Sequence, residues 1–96
     1  MNMFSHTQIS IPHIDTIGHG YLKVSSYDLR GFGISIKEFS EYSYYDLKSG
    51  TAYLEEDCDM QCFMDAYEQA YDVLPEIDCI IYNGEAPCRN YSRLNQ

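Results

Sequence analysis

His13, Asp15 and His19 lie within seven residues of one another, and Cys58 and Cys62 stand four apart on a stretch of helical period. These are ligand types that zinc accepts in tetrahedral geometry. The tight spacings that mark a preformed metal site, C-x-x-C or H-E-x-x-H, are absent from the chain. No metal site and no cofactor is therefore expected. Nucleophilic chemistry needs a thiol or hydroxyl beside a base, with donors for an oxyanion. Cys58 falls near a helix N-terminus, which lowers a thiol pKa, but the surrounding carboxylates raise it again. Cys88 sits beside Arg89 with no glycine-rich turn or positioned histidine near it in sequence. Glu55 and Glu56 are adjacent on an extended run and point to opposite faces, which spoils them as an acid and base pair. No catalytic residue is assigned. Cys62 is expected in an apolar helix stripe and Cys79 inside a strand, both as small buried thiols.

The strongest signal is charge. Between Ser49 and Cys88 the chain has ten carboxylates and no Lys or Arg, within a total formal charge of −9 over 96 residues. A field of one sign repels nucleic acid and anionic lipid and attracts basic surfaces. Glu55, Glu56, Asp57 and Asp59, at a strand-to-helix junction, and Asp65, Glu68 and Asp72, along a helix, are the expected partner-binding set. An ordinary solvated helix face interleaves lysines at i+4 spacing, and this one does not. The expected partner is a basic protein surface, with no direct contact to nucleic acid or membrane. A homodimer through a tyrosine-rich hairpin is a further expectation. The alternative reading is a small metal-binding or hydrolytic protein using His13, Asp15, His19 and the acids near Asp57.

The elements that must position these residues are few. A chain of this length buries about 60 to 65% of its unfolded surface, and its ten Tyr and no Trp make phenol rings the main large fillers. Residues 1–17, with Pro12 among scattered isoleucines, read as an N-terminal arm. Tyr21 to Ser25 alternates as a strand with Leu22 and Val24 inward. A short helical turn follows over Tyr27 to Arg30, capped by Ser26 and closed by Gly31. Phe32, Ile34 and Ile36 at spacing two suggest an extended stretch. Ser40 to Tyr45 and Thr51 to Glu55 read as a hairpin around Asp46 to Gly50. From Asp57 the period becomes helical, with Asp57 or Asp59 as cap and Cys62, Phe63, Ala66, Tyr67, Ala70 and Tyr71 as the apolar stripe. Ile77 to Tyr82 reads as a last strand, and residues 85–96 as an extended tail.

The expected fold is a single α+β domain over residues 1–96, with three to five antiparallel strands and one main helix packed on one face. The N-terminal residues lack a basic stretch followed by an apolar run, and the chain has no apolar stretch near 18 residues, so a cytoplasmic location with reduced thiols is expected.

The string His19-Gly20-Tyr21-Leu22-Lys23-Val24, then Tyr42-Ser43-Tyr44, then Tyr53-Leu54-Glu55-Glu56-Asp57-Cys58-Asp59 followed by Phe63 resembles a family of small uncharacterised proteins of bacteria and their phages or plasmids. That family has an HG-aromatic-L-x-V opening, a YSY-type strand and a YLEEDCD block. The resemblance spans roughly residues 13–72. It implies a bacterial, phage or plasmid source and assigns no activity; the uncompensated charge makes a non-enzymatic inhibitor or accessory factor the expected role.

Overall fold

The computed structural model describes residues 10–84, 86–90 and 92–93. The fold is a small α+β arrangement of one mixed sheet with one main helix on one face. Strands β1 (Ser10–Thr16), β2 (His19–Ser25), β3 (Tyr44–Asp46), β4 (Thr51–Glu55) and β5 (Glu76–Ile81) are joined by a two-residue strand β6 (Ser92–Arg93). Their order across the sheet is β5-β1-β2-β4-β3-β6. All neighbours are antiparallel except β1 and β5, which run parallel. The main helix, α2 (Met60–Tyr71), is the crossover that carries the chain from β4 past β2 and β1 to the far edge. Parallel neighbours need a connection of this length, so the last strand cannot simply continue an antiparallel meander.

Alternation along the strands separates two cores. Ile11, Leu22, Val24, Ala52 and Leu54 face α2 and pack with Phe63, Met64 and Tyr67. Ile14, Tyr21, Tyr44 and Tyr53 face the other way and are covered by Ala86 and Cys88. Leu22, Leu54, Phe63 and Tyr67 have no exposed surface. Burial of each such aliphatic or Phe side chain contributes about 1.5 to 3 kcal/mol. The sheet is thus buried on both faces near its centre, which is why β2 and β4 read as apolar runs with weak alternation.

Residues 10–16, expected in an arm, form β1 between β5 and β2. Pro12 is tolerated there for a reason of parity. The Tyr82 N–H donates to the Asp15 carbonyl at 2.9 Å, so Asp15, His13 and Ile11 turn their peptide groups toward β5 and Pro12 turns toward β2. The β1–β2 register ends at His13 opposite Leu22, so the missing N–H of Pro12 falls outside that ladder. The remainder of the expected arm, residues 1–9, lies outside the described residues. Of the expected tail, 87–90 form a 3₁₀ turn and Ser92–Arg93 are extended and pair with β3 as β6. Residues 85, 91 and 94–96 lie outside the description.

Other local differences have equally simple causes. Helix α1 (Ser26–Gly31) starts one residue earlier than expected, because the Ser25 hydroxyl accepts the Asp28 N–H. Ile36–Glu38 is a 3₁₀ turn, closed by reciprocal bonds between Ser35 and Glu38. Of the expected Ser40 to Tyr45 strand only Tyr44 and Tyr45 lie in β3, because Ser40 and Ser43 are drawn away to bond Asp59. The buried stripe of α2 is rotated toward Met64, with Met60 and Ala66 packed beside it, leaving Cys62 and Ala70 exposed. Two thioethers bury more apolar surface than a thiol and a methyl, so they set the helix orientation.

Candidate functional site

The seven carboxylates of the expected partner-binding set separate into three groups. Glu55 and Asp59 are buried and serve the fold. The Glu55 Oε1 accepts the N–H groups of Asp57 at 2.7 Å and Cys58 at 3.1 Å, closing the turn that leaves β4. Asp59 stands at the N-cap of α2 but makes no side-chain cap bond. Its carboxylate instead accepts the Ser40 N–H at 2.9 Å, the Ser40 hydroxyl at 2.6 Å and the Ser43 hydroxyl. Ser43 Oγ in turn accepts the Glu55 N–H at 2.9 Å. Buried carboxylates are stabilised through such donors.

Asp65, Glu68 and Asp72 form the second group. They are exposed on the outer face of α2 and, with Gln69, bound a shallow open groove. Asp65 accepts a hydrogen bond from Gln61 at 2.7 Å. Among the described residues, none of these three acids makes an ion pair. Asp72 ends the helix in a left-handed conformation at φ 61°. Asp65 stands mid-helix, whereas Glu68 and Asp72 occupy the last turn and the C-cap, where the dipole disfavours negative charge.

Glu56 and Asp57 are the third group, and they point to different places. Asp57 lines a cleft of about 330 Å³ on the face away from α2, with His19, Tyr21, Tyr42, Tyr44, Glu55, Cys58 and Arg89. Burial pushes Tyr21 up to about 12, against the opposing pull of Arg89. It remains a neutral hydroxyl in ordinary conditions. Burial also pushes the Cys58 thiol up, and the Glu55 charge adds to it, so the carboxylates outweigh the helix dipole there. The cleft can hydrogen-bond a small polar group but presents no activated nucleophile. Cys88 lies buried beneath it, its thiol pushed up to about 12 by burial, with Arg89 only partly offsetting. The favourable neighbour expected from sequence is thus outweighed by desolvation.

Glu56 is on the α2 side. Its Oε1 lies 3.1 Å from Nε2 of His13, which is buried. The other ring nitrogen, Nδ1, is 4.0 Å from the Cys79 sulfur. The parallel register sets Cys79 beside His13, and Glu56 reaches them over Gly20, whose carbonyl accepts the Glu56 N–H at 2.9 Å. A Cβ on Gly20 would stand 2.2 Å from Glu56 Oε1 and 2.7 Å from His13 Cε1. Cys79, expected as a buried thiol, is exposed because β5 is an edge strand. This grouping joins two strands and the turn after β4 and was not legible in sequence. The only hint was the glycine between two strand-forming residues, which marks a close approach.

The alternative set is divided by the same alternation. His13 and Asp15 share the α2 face, whereas His19 pairs with Thr16 on the opposite face and stacks on Tyr21, ring centroids 6.4 Å apart. Among the described residues, no three His, Cys, Asp or Glu side chains are grouped to hold a metal ion. No described helix is long and apolar enough to cross a membrane. The hairpin tyrosines Tyr44 and Tyr53 face each other across β3 and β4 and are buried, while Tyr42 is exposed.

Raised Tyr21 and Cys88 pKa values carry a stability consequence. Both groups are neutral when folded and ionise more readily when unfolded, so the unfolded state sheds protons first as pH rises. Their stabilising effect is complete below the unfolded values, 9.0 for the thiol and 10.0 for the phenol, and is lost as pH rises toward about 12. Denaturant midpoints measured across that interval should fall, and Cys88→Ala should flatten the lower part of the decline.

Comparison of the whole chain with protein-family models, curated proteins and solved structures gave no match.

Proposed function

We propose that the protein is a binding protein whose outer α2 face, built from Asp65, Glu68 and Asp72, docks a basic surface on a partner protein. The observation that carries this reading is the position of these three acids: exposed, on one helix face, and without an ion pair among the described residues. Glu68 and Asp72 also sit against the helix dipole, from which they gain nothing. Carboxylates that serve the fold, Glu55 and Asp59, are buried and accept hydrogen bonds from the backbone and serine hydroxyls around them. The outer helix set is therefore a part of the acidic segment available to a partner. Binding there uses charge and shape and requires no chemistry. A phage- or plasmid-encoded inhibitor or accessory factor in the host cytoplasm fits the family resemblance and a target that is itself basic, such as a nucleic-acid-binding protein.

Charge reversal tests the reading. The triple variant Asp65→Lys, Glu68→Lys, Asp72→Lys should stay folded, because all three side chains are exposed, and its helix should gain from cations near the C-terminus. Partners captured from host lysate by the native protein should be lost, with affinity for an isolated partner falling about 100-fold and its salt dependence flattening. Unchanged capture and unchanged salt dependence would remove the helix face from the interface.

A further inference from the structure

We propose that Cys79, His13 and Glu56 form a nucleophilic thiol site that accepts an acyl group from a carboxylic ester. The site uses residues distinct from the α2 surface and stands independently of it. Three features of the geometry converge on this chemistry. The first is the order of groups: Glu56 Oε1 to His13 Nε2 at 3.1 Å, and His13 Nδ1 to Cys79 Sγ at 4.0 Å. A carboxylate at Nε2 selects the tautomer with its proton on that nitrogen, which leaves the Nδ1 lone pair facing the thiol. That is a nucleophile, a base and an orienting acid in sequence.

The second feature is steric. His13 is buried and Gly20 leaves the space in which its ring and the Glu56 carboxylate meet. The imidazole is therefore held in place by the sheet before any substrate arrives.

The third feature is a donor for the oxyanion. The Tyr82 N–H points into β1, so along β5 the peptide groups of Ile77, Cys79 and Ile81 point outward. Since β5 ends the sheet, the Cys79 N–H has no strand partner among the described residues. A nucleophile whose own amide is unpaired and adjacent to the attacking atom provides a donor where negative charge develops. The thiol is exposed, so an ester reaches it without an opening motion.

The step balances with water as the only co-reactant. The Cys79 sulfur bonds to the carbonyl carbon while its proton passes to His13 Nδ1, and the carbonyl electron pair moves to oxygen beside the Cys79 N–H. Collapse of that oxyanion breaks the carbon–oxygen bond to the leaving group, which takes the proton from His13. Water then attacks the thioester as His13 accepts its proton, the carbon–sulfur bond breaks, and the proton returns to sulfur, releasing a carboxylic acid. His13 is the base in both halves; Glu56 is a positioning residue.

The test is p-nitrophenyl acetate with the full chain, followed by mass spectrometry of the intact protein and of its peptides. One acetyl group should appear on Cys79 well before Cys58 or Cys62, the other exposed thiols, both of which are held protonated. His13→Gln should slow acetylation of Cys79 about 100-fold with an unchanged circular dichroism spectrum. Glu56→Gln should slow acetylation of Cys79 about 10-fold with an unchanged circular dichroism spectrum, and Glu56→Asp, which keeps a carboxylate, should recover part of the rate. Asp15, the other carboxylate on that face of β1, stays in both proteins. Equal acetylation of the three exposed thiols, no acetyl on Cys79, or a folded His13→Gln protein with an unchanged rate would each overturn the proposal. If His13→Gln does not fold, the selectivity among thiols in the native chain still decides it.

Discussion

Asp59→Ala is expected to lower the free energy of unfolding by about 3 kcal/mol or more, a large fraction of the stability of a domain this size. The carboxylate is the shared acceptor for the Ser40 N–H, the Ser40 hydroxyl and the Ser43 hydroxyl, and Ser43 passes the link to the Glu55 backbone. Deleting it leaves several donors without a partner in a site from which water is largely excluded, and each such group costs about 1 to 3 kcal/mol. It also releases residues 40–43 from the start of α2. Asp59→Asn is the informative control, since it keeps the shape but offers one acceptor oxygen in place of two and adds donors facing donors. It should lie between alanine and the native residue. Urea unfolding of the three proteins measures both effects. A loss below about 1 kcal/mol for Asp59→Ala would show that Asp59 is a surface acid, free to bind a partner.

Gly20→Ala is expected to cost about 2 to 3 kcal/mol and to break the contact between His13 and Glu56. The added carbon would stand 2.2 Å from Glu56 Oε1 and 2.7 Å from His13 Cε1. Glu56 is partly exposed and swings aside cheaply, but the buried His13 ring is hemmed in by the sheet and must shift with it. Overpacking of this kind in a closed core costs about 1 to 3 kcal/mol. The signature that separates this from ordinary destabilisation is the His13 ring itself: its imidazole NMR signals should change in Gly20→Ala as they do in Glu56→Gln, since both remove the carboxylate from Nε2.

These two residues also show where the sequence was readable. Ser40, Ser43 and Asp59 are plain in the sequence, yet nothing in their spacing says that a carboxylate near a helix start bonds a loop 16 to 19 residues away. Local reading assigns such an acid to capping, and the longer-range donors won. Cys79 is the same lesson at an edge. An apolar run around a cysteine reads as buried, but β5 is the outermost strand, and Ile81 beside it is 77% exposed. Whether a strand is central or marginal is a property of the sheet and leaves little trace in its own residues.

The alternating residues Leu22, Val24, Ala52 and Leu54, the helical period from Asp57 to Asp72 and the lysine-free acidic segment were enough to settle a small α+β fold with one main helix and its charge imbalance. These depend on the periods of two and 3.6 that backbone geometry imposes on any chain. Only the tertiary structure decided that β1 would tolerate Pro12 by facing its gap away from a ladder, that β5 would lie parallel beside it, and that His13, Glu56 and Cys79 would meet while His19 turned to the other face. Strand pairing and parity are set between segments some 65 residues apart, by which surfaces bury best together, and no local pattern encodes them.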